Sequence, residues 1–151
     1  MKILITGAAG FIGFNFSKFL LEKTNHKIIG IDNLNDYYSP QIKKKRLKVL
    51  KKFKNFYFFK LDIKNKKKLD LIFKKNINAI FHLAAQAGVR YSLKNPRSYV
   101  ENNILGFYNV LENSINNNVK KIFYASSSSV YGDSKKFPLT ENNYIYPKNI
   151  Y

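Results

Sequence analysis

The chain has 151 residues, of which 45% are apolar, and this is enough to form the core of one domain. It contains no cysteine, which excludes disulfides, thiolate nucleophiles and zinc–thiolate sites. Its two histidines are far apart in the sequence, so we expect no metal site. Its formal net charge is +18, with 27 lysines and arginines against 9 acidic residues.

This excess of positive charge has two interpretations. It is typical of proteins that bind nucleic acid or an anionic membrane. However, nearly all the cations are lysines, and no motif for binding DNA or RNA accompanies them. We therefore expect compositional bias, with the lysine runs 43–46, 51–54 and 65–68 on solvated helix faces, no specific nucleic-acid partner, and only weak polyanion binding at low salt.

The sequence also bears on location. No apolar run approaches the roughly 20 residues that a membrane helix needs. The first residues, MKILITGAAG, have too short an apolar stretch for a signal peptide. We expect no membrane partner and a cytoplasmic location.

Predicted strands and helices alternate along the chain. Short apolar, β-branched runs predict strands, and apolar residues at helical spacing predict helices. The predicted strands are 2–6, 27–32, 56–62, 78–85 and 120–127, and the predicted helices are 11–22, 40–53, 66–75 and 96–117. This alternation predicts an α/β fold, a doubly wound parallel sheet of the Rossmann type, with ligands at the carboxyl ends of the strands.

Glycines follow the first predicted strand in the segment TGAAGFIG. Gly7 permits a tight turn, Gly10 lets the backbone approach a pyrophosphate, and Gly13 lets the helix pack closely on the strand. The free amides at the helix start, at Phe11 and Ile12, favour a diphosphate. A strand before the glycines and a helix after them is the context that a dinucleotide site requires.

The second predicted strand ends at Asp32, followed by Asn33. A carboxylate there can accept hydrogen bonds from the adenosine ribose and would repel a 2′-phosphate. The expected cofactor is therefore NAD rather than NADP. The alternative is an aspartate that only stabilises a turn.

The spacing G-x-x-G-x-x-G resembles the extended branch of the short-chain dehydrogenase/reductase superfamily, and the resemblance covers essentially the whole chain. It implies that the segment LDI contacts the adenine, that HLAAQA lies along the cofactor, and that an asparagine of YVENNILG lies near the nicotinamide. The residues implied are Asp62, Ile63, Leu83, Ala84, Ala85 and Asn103.

Two later residues match the family's reacting groups. Ser127 lies four residues before Tyr131 in YASSSSVYG, where the family has the Ser or Thr that hydrogen-bonds the reacting sugar hydroxyl. Pro147 and Tyr151 resemble the approach to the family's Y-x-x-x-K segment, which implies that Tyr151 is the catalytic acid/base and that the chain ends before the lysine that favours the phenolate. The alternatives are a serine-rich turn and an ordinary loop tyrosine.

Residues 30–47, 82–103 and 124–132 resemble the UDP-glucuronate 4-epimerases. The resemblance implies transient NAD-dependent oxidation at C4 of a UDP-uronate, either UDP-glucuronate or UDP-galacturonate, with Arg90 and Ser127 binding the substrate. For Arg90, the alternative is a solvated loop arginine. For the function of the protein, the alternatives are the UDP-glucose and UDP-N-acetylglucosamine 4-epimerases. The related 4,6-dehydratases carry Asp-Glu where this chain has Ser128 and Ser129, so a dehydratase is disfavoured.

The resemblance also implies that residues 1–151 form an incomplete NAD-binding domain, truncated after the fifth strand and the following loop, without the C-terminal substrate domain. We therefore expect the chain alone to be inactive as an epimerase and marginally stable. Beside a UDP-sugar, the expected partners are a second copy in a homodimer or a separately encoded C-terminal half. A non-catalytic NAD-binding or interaction module is the remaining alternative.

Overall fold

One parallel sheet of five strands organises the computed structural model, which describes residues 1–135 and 137–151. The strands are β1 (Lys2–Thr6), β2 (Lys27–Asp32), β3 (Phe56–Lys60), β4 (Ala79–His82) and β5 (Lys121–Tyr124). The helices are α1 (Phe11–Lys23), α2 (Pro40–Leu50), α3 (Lys66–Phe73), α4 (Val89–Lys94), α5 (Pro96–Tyr99) and α6 (Phe107–Asn116). A π-helical segment (Val100–Gly106) joins α5 to α6, and a 3₁₀-helix (Ser128–Tyr131) follows β5.

The strand order is β3-β2-β1-β4-β5, which confirms the predicted doubly wound sheet. The chain moves outward from β1 to β3 and then crosses back to β4, so the order reverses between β1 and β4. The register places Thr6 opposite both Ile31 and His82. The carboxyl ends of β1, β2 and β4 therefore meet at one edge, where a crevice forms in folds of this kind.

Each face of the sheet carries its own apolar cluster. Leu4 of β1 packs into one cluster with residues of α3 and α6, whereas Ile3 and Ile5 pack into the other with residues of α1 and α2. Successive side chains of a strand point to opposite faces, and both faces are covered by helices. This explains why β1 reads as an uninterrupted apolar run.

The ends of the elements differ from the sequence expectation in a few places. β4 stops at His82 because the amides of Leu83 and Ala84 donate to the Thr6 hydroxyl instead of continuing the ladder. The predicted helix 96–117 has the expected extent, but its middle is the π-helical segment. α4 and the 3₁₀-helix were not predicted. In the described part of the chain, no helix is both long and apolar enough to cross a bilayer.

Candidate functional site

The glycine loop packs directly against the end of β4. Gly7 has a positive φ of 69°, and a Cβ added to it would lie 2.9 Å from backbone atoms of Leu83 and Ala84. A Cβ on Gly13 would collide with the carbonyl oxygen of Gly7. These two positions therefore admit only glycine without movement of the loop.

The start of α1 lies beside this loop. Gly10 is its N-cap, and in residues 1–135 and 137–151 no side chain caps the helix. The first backbone amides of a helix have no partner within the helix. Phe11 and Ile12, the first two residues of α1, line the cleft described next, so the helix start offers amides and a positive dipole end to an anion there.

The cleft lies at the edge where the strand order reverses and has a volume of about 520 Å³. The glycine loop, the end of β2 and the segment after β4 form its walls. The residues predicted from the sequence that line it are Gly7, Gly10, Phe11, Ile12, Gly13, Asp32, Asn33, Ile63, Leu83, Ala84 and Ala85. The structure thus brings most of the predicted cofactor residues to one cavity.

Asp32 is held at the end of β2 by three groups. Its Oδ2 accepts from the amide of Ala9 at 3.2 Å, and its Oδ1 accepts from the amide of Leu34 at 2.8 Å. The Lys43 ammonium lies 3.5 Å from Oδ1, and both side chains are about 5% exposed. The carboxylate is therefore fixed in orientation and charge-balanced within the cleft wall.

Lys43 and Arg46 also line the cleft, and neither was predicted from the sequence. The expectation that the run 43–46 lies on a solvated face is wrong for Lys43, which is 4% exposed. Lys43 shares a helical stripe with Leu47 and Leu50, the other buried residues of α2, and this spacing is a signal that could have identified it. Arg46 donates to the carbonyl of Ala9 at 3.2 Å and to the Tyr38 hydroxyl at 3.1 Å.

A buried hydroxyl–imidazole pair joins β1 to β4 beneath the cleft. The Thr6 hydroxyl oxygen accepts from the amides of Leu83 and Ala84 at 3.0 Å each, which uses both of its lone pairs. Its proton is then directed to Nδ1 of His82, 2.9 Å away, so His82 carries its own proton on Nε2. Burial lowers the pKa of His82 from 6.5 to about 4, and the imidazole is therefore neutral at neutral pH.

Asn103 and Asp62 lie beside the cleft rather than in its wall. The Asn103 side-chain amide accepts from the backbone amide of Gln86 at 2.8 Å and donates to the Gln86 carbonyl at 3.0 Å. Asn103 therefore braces the segment after β4. Asp62 accepts from the side chain of Asn33 at 3.1 Å and lines an adjoining polar cavity of about 310 Å³.

The predicted reacting residues lie in the last part of the chain. Ser127 follows β5 at the same edge of the sheet, and its hydroxyl accepts from the amide of Ser129 at 3.2 Å. The Tyr151 ring packs edge-on against the Tyr99 ring, with centroids 5.7 Å apart. The hydroxyl of Tyr99 in turn donates to the carbonyls of Ala87 and Gly88, which places Tyr151 near the segment after β4.

Arg90, the other predicted substrate residue, lies in the first turn of α4 and is exposed to solvent. Its side chain does not line the cleft. The structure therefore does not bring Arg90 together with the predicted cofactor residues.

A doubly wound parallel sheet, a glycine loop at the start of the first helix and a carboxylate at the end of β2 define the Rossmann-type class of α/β domains. The chain belongs to the GDP-mannose 4,6 dehydratase family, whose family model matches residues 4–151. This match agrees with the resemblance to the extended short-chain dehydrogenases and reductases. The chain corresponds to the N-terminal region of the family's members.

Among similar sequences, the UDP-glucuronate 4-epimerase of Thermodesulfobacterium geofontis is 49% identical over 136 residues, which is 89% of this chain and 42% of that protein. Among solved structures, the Bacillus cereus UDP-glucuronic acid 4-epimerase in complex with UDP-glucuronic acid and NAD has a TM-score of 0.91 and 34% identity, covering 99% of this chain and 47% of that one. The Campylobacter jejuni UDP-Glc/GlcNAc 4-epimerase has a TM-score of 0.87 and 32% identity, with 99% and 44% covered. The chain thus spans less than half the length of these proteins.

Proposed function

We propose that this chain binds NAD in the cleft between the glycine loop, β2 and the segment after β4. The amides of Phe11 and Ile12 at the start of α1 would hold the diphosphate, since no side chain among the described residues caps them. Asp32 would accept hydrogen bonds from the adenosine ribose. A solved relative with a TM-score of 0.91 was crystallised with NAD, which supports this proposal.

The remaining predicted cofactor residues take supporting roles in this proposal. Ile63, Leu83, Ala84 and Ala85 offer an apolar wall to the adenine and the nicotinamide. Asn33 lies between the cleft and Asp62, whose carboxylate accepts its side-chain amide. Asn103 acts through Gln86, because its side-chain oxygen accepts from the Gln86 backbone amide and its side-chain nitrogen donates to the Gln86 carbonyl.

We further propose that the chain is the cofactor domain, residues 1–151, of a 4-epimerase acting on a UDP-uronate. NAD supplies a hydride acceptor when bound. Tyr151 would take the proton from the C4 hydroxyl of the sugar, and Ser127 would share and orient that hydroxyl. Arg90, exposed just beyond the segment after β4, would meet the uronate carboxylate or the diphosphate from outside the cleft.

Two findings support an epimerase over the other reactions of the family. Ser128 and Ser129 occupy the 3₁₀-helix positions where a dehydratase would carry its acidic pair. The similar sequences and structures reported above carry epimerase names. UDP-glucose or UDP-N-acetylglucosamine is the second candidate substrate, because the Campylobacter jejuni enzyme shares the fold almost as closely.

The observation that carries this proposal is the close packing of Gly7 and Gly13, which leaves an uncapped helix start facing the cleft. Isothermal titration calorimetry of the chain with NAD is the direct test, and we expect saturable binding at one site. Gly10→Val should weaken binding at least about tenfold, since its side chain would occupy space beside the phosphate-binding loop. Asn15→Ala, on the exposed side of α1, should leave the affinity unchanged. Absence of NAD binding at millimolar concentration in folded protein would overturn the proposal.

Turnover needs the part of the relatives that this chain does not cover, so we expect the 151-residue chain alone to be inactive with UDP-glucuronate. A chimera joining this chain to the C-terminal part of the Thermodesulfobacterium geofontis relative should convert UDP-glucuronate to UDP-galacturonate. Tyr151→Phe and Ser127→Ala in the chimera should each lower kcat at least about a hundredfold while NAD affinity stays within twofold. If either variant keeps full turnover, the role assigned to that residue is wrong.

A further inference from the structure

A second cavity lies at the edge of the sheet opposite the cofactor cleft. It has a volume of about 380 Å³ and is formed by residues of β1 and β2 near their starts, by β3 and by the residues just after α3. We call it the amino-edge pocket. Its lining residues are Lys2, Lys27, Ile29, Tyr57, Phe59, Lys74, Lys75 and Asn76.

The floor of the amino-edge pocket is apolar and aromatic. Ile29, Tyr57 and Phe59 lie on the same face of the sheet, since β2 and β3 pair in register and alternate residues share a face. Tyr57 is 45% exposed, whereas Phe59 packs against the core beneath it. An aromatic ring accessible on an edge strand is a platform on which a planar ring can stack.

Every charged residue that lines the pocket is a lysine. Four lysines line it, no acidic residue does, and none of the four has a carboxylate within ion-pair distance in the described part of the chain. Lys2 donates to the carbonyl of Lys75 at 2.6 Å, and the Lys75 ammonium lies 5.3 Å from the centre of the Phe59 ring. Lys27 and Lys74 are therefore the two lysines of the pocket whose ammonium groups have no recorded partner among the described residues.

This placement separates the pocket from the general lysine excess of the chain. Lys45 and Lys48 of α2, by contrast, are exposed and do not line the amino-edge pocket. A concave site that pairs an accessible aromatic ring with unpaired ammonium groups has the two elements that recognise a base and its phosphate.

We propose that the amino-edge pocket binds a phosphate-bearing nucleobase, with the base stacked on Tyr57 and the phosphate bound by Lys27 and Lys74. A volume of about 380 Å³ lies in the range of small-ligand sites. The same chemistry is present in a free nucleotide and in single-stranded nucleic acid. The site is independent of the cofactor cleft, because the two have no lining residue in common.

The test uses cytidine ligands, since adenine and uracil would also report on a cofactor or a UDP-sugar. With NAD in excess, binding of CTP, a ten-residue oligo-dC and inorganic tripolyphosphate is measured by fluorescence anisotropy and calorimetry. We expect CTP and oligo-dC to bind more tightly than tripolyphosphate, which carries comparable charge without a base. An oligo-dC affinity well above that of CTP identifies single-stranded nucleic acid as the source, and equal affinities identify a free nucleotide.

Three variants localise the site. Tyr57→Thr, which keeps β propensity, should weaken CTP and oligo-dC at least about fivefold and leave tripolyphosphate unchanged. The double variant Lys27→Gln, Lys74→Gln should weaken all three ligands about tenfold, and the charge-matched pair Lys45→Gln, Lys48→Gln should change them less than twofold. The proposal is overturned if the control pair has the same effect as the pocket pair, if Tyr57→Thr has none, or if tripolyphosphate binds as tightly as CTP.

Discussion

Gly13 shows how one missing side chain decides the geometry of the cleft. It lies inside α1, where alanine would be favoured over glycine by about 1 kcal/mol on helix propensity alone. A Cβ there would collide with the Gly7 carbonyl oxygen, which belongs to the loop that turns from β1 into α1. Close contact between helix and loop therefore outweighs propensity at this position.

We expect Gly13→Ala to lower the free energy of unfolding by about 2 kcal/mol, because the added carbon displaces the glycine loop from the end of β4. It should also weaken NAD binding, since the same loop presents the amides of α1. Urea unfolding followed by circular dichroism measures the first effect. Asn15→Ala, an exposed position of the same helix, should stay within about 0.5 kcal/mol of the parent. Equal stability of both variants would contradict the packing argument.

Lys43 and Asp32 form a buried ion pair that we expect to contribute to stability. Both side chains are about 5% exposed, so removing the ammonium leaves a buried carboxylate with only backbone amides as partners. Lys43→Met should therefore cost about 3 kcal/mol of stability. The matched control is Lys18→Met, whose partner Glu22 is 45% exposed and whose loss should cost less than about 0.5 kcal/mol.

A double variant separates charge from packing at this site. If the uncompensated carboxylate is the cause, adding Asp32→Asn to Lys43→Met should recover part of the lost stability in the same unfolding experiment. If the double variant is less stable than Lys43→Met, the cost arises from the lost contact between the Lys43 ammonium and the Tyr38 ring, whose centre lies 4.9 Å away.

At the scale of elements, the strand ends are joined by groups that the ladder does not provide. The Thr6 hydroxyl ends β4 by accepting hydrogen bonds from the two backbone amides that follow it, and it donates to His82. Asn103 of the π-helical segment bonds in the same way to the backbone of Gln86, which also follows β4. Both sets of hydrogen bonds fix the position of the segment 83–87, which forms one wall of the cleft.

The Thr6–His82 pair makes stability depend on pH. The pKa of His82 is lowered to about 4 by burial, against 6.5 for the ordinary value. Above pH 6.5 the imidazole is neutral whether the chain is folded or not, and the group contributes no pH dependence. As the pH falls from 6.5 to 4, the unfolded chain binds a proton that the folded chain excludes, so stability falls by about 3 kcal/mol.

Urea unfolding between pH 7.5 and pH 4 checks this dependence against His82→Gln, which cannot titrate. The variant differs in absolute stability because it alters the stacking on Phe107, so the comparison is between slopes. We expect the parent chain to lose about 3 kcal/mol more than the variant over this range. Parallel curves would show that His82 is protonated in the folded state at the same pH as in the unfolded state.

At the scale of the whole molecule, the main feature is the large excess of positive charge. The formal net charge is +18, and most cations have no carboxylate within 4 Å in residues 1–135 and 137–151. Repulsion among like charges destabilises a compact chain and is screened by salt. The positive charge is also unevenly distributed, since two cations line the cleft beside the glycine loop and four line the amino-edge pocket.

We expect the melting temperature to rise by roughly 3–6 °C between 20 mM and 300 mM NaCl, corresponding to about 1–2 kcal/mol of relieved repulsion. Differential scanning calorimetry in a single buffer provides the measurement. A variant with Lys44, Lys45 and Lys48 of the exposed face of α2 changed to Gln should respond less to salt. A melting temperature that falls with added NaCl would mean that ion pairs outweigh repulsion.

The fold was predictable from the sequence because its signals are local. Apolar β-branched runs such as KILIT end at glycine or polar residues, and the run 2–6 forms a strand buried on both faces. The glycine spacing and the aspartate at the end of β2 lie within one βαβ unit, so their joint position followed once the strands were assigned. The amino acid order alone therefore indicated the cleft and most of the residues that form its walls.

Other features depended on contacts between distant parts of the chain. The burial of Lys43 against Asp32, the proton direction in the Thr6–His82 pair and the bracing of Gln86 by Asn103 each join residues from separate elements. The amino-edge pocket also arises only when β1, β2, β3 and the residues after α3 are brought to one edge of the sheet. A lysine reads the same in sequence whether solvent or a carboxylate surrounds it, so only the tertiary structure decided which charges are buried, which are paired and which face a ligand.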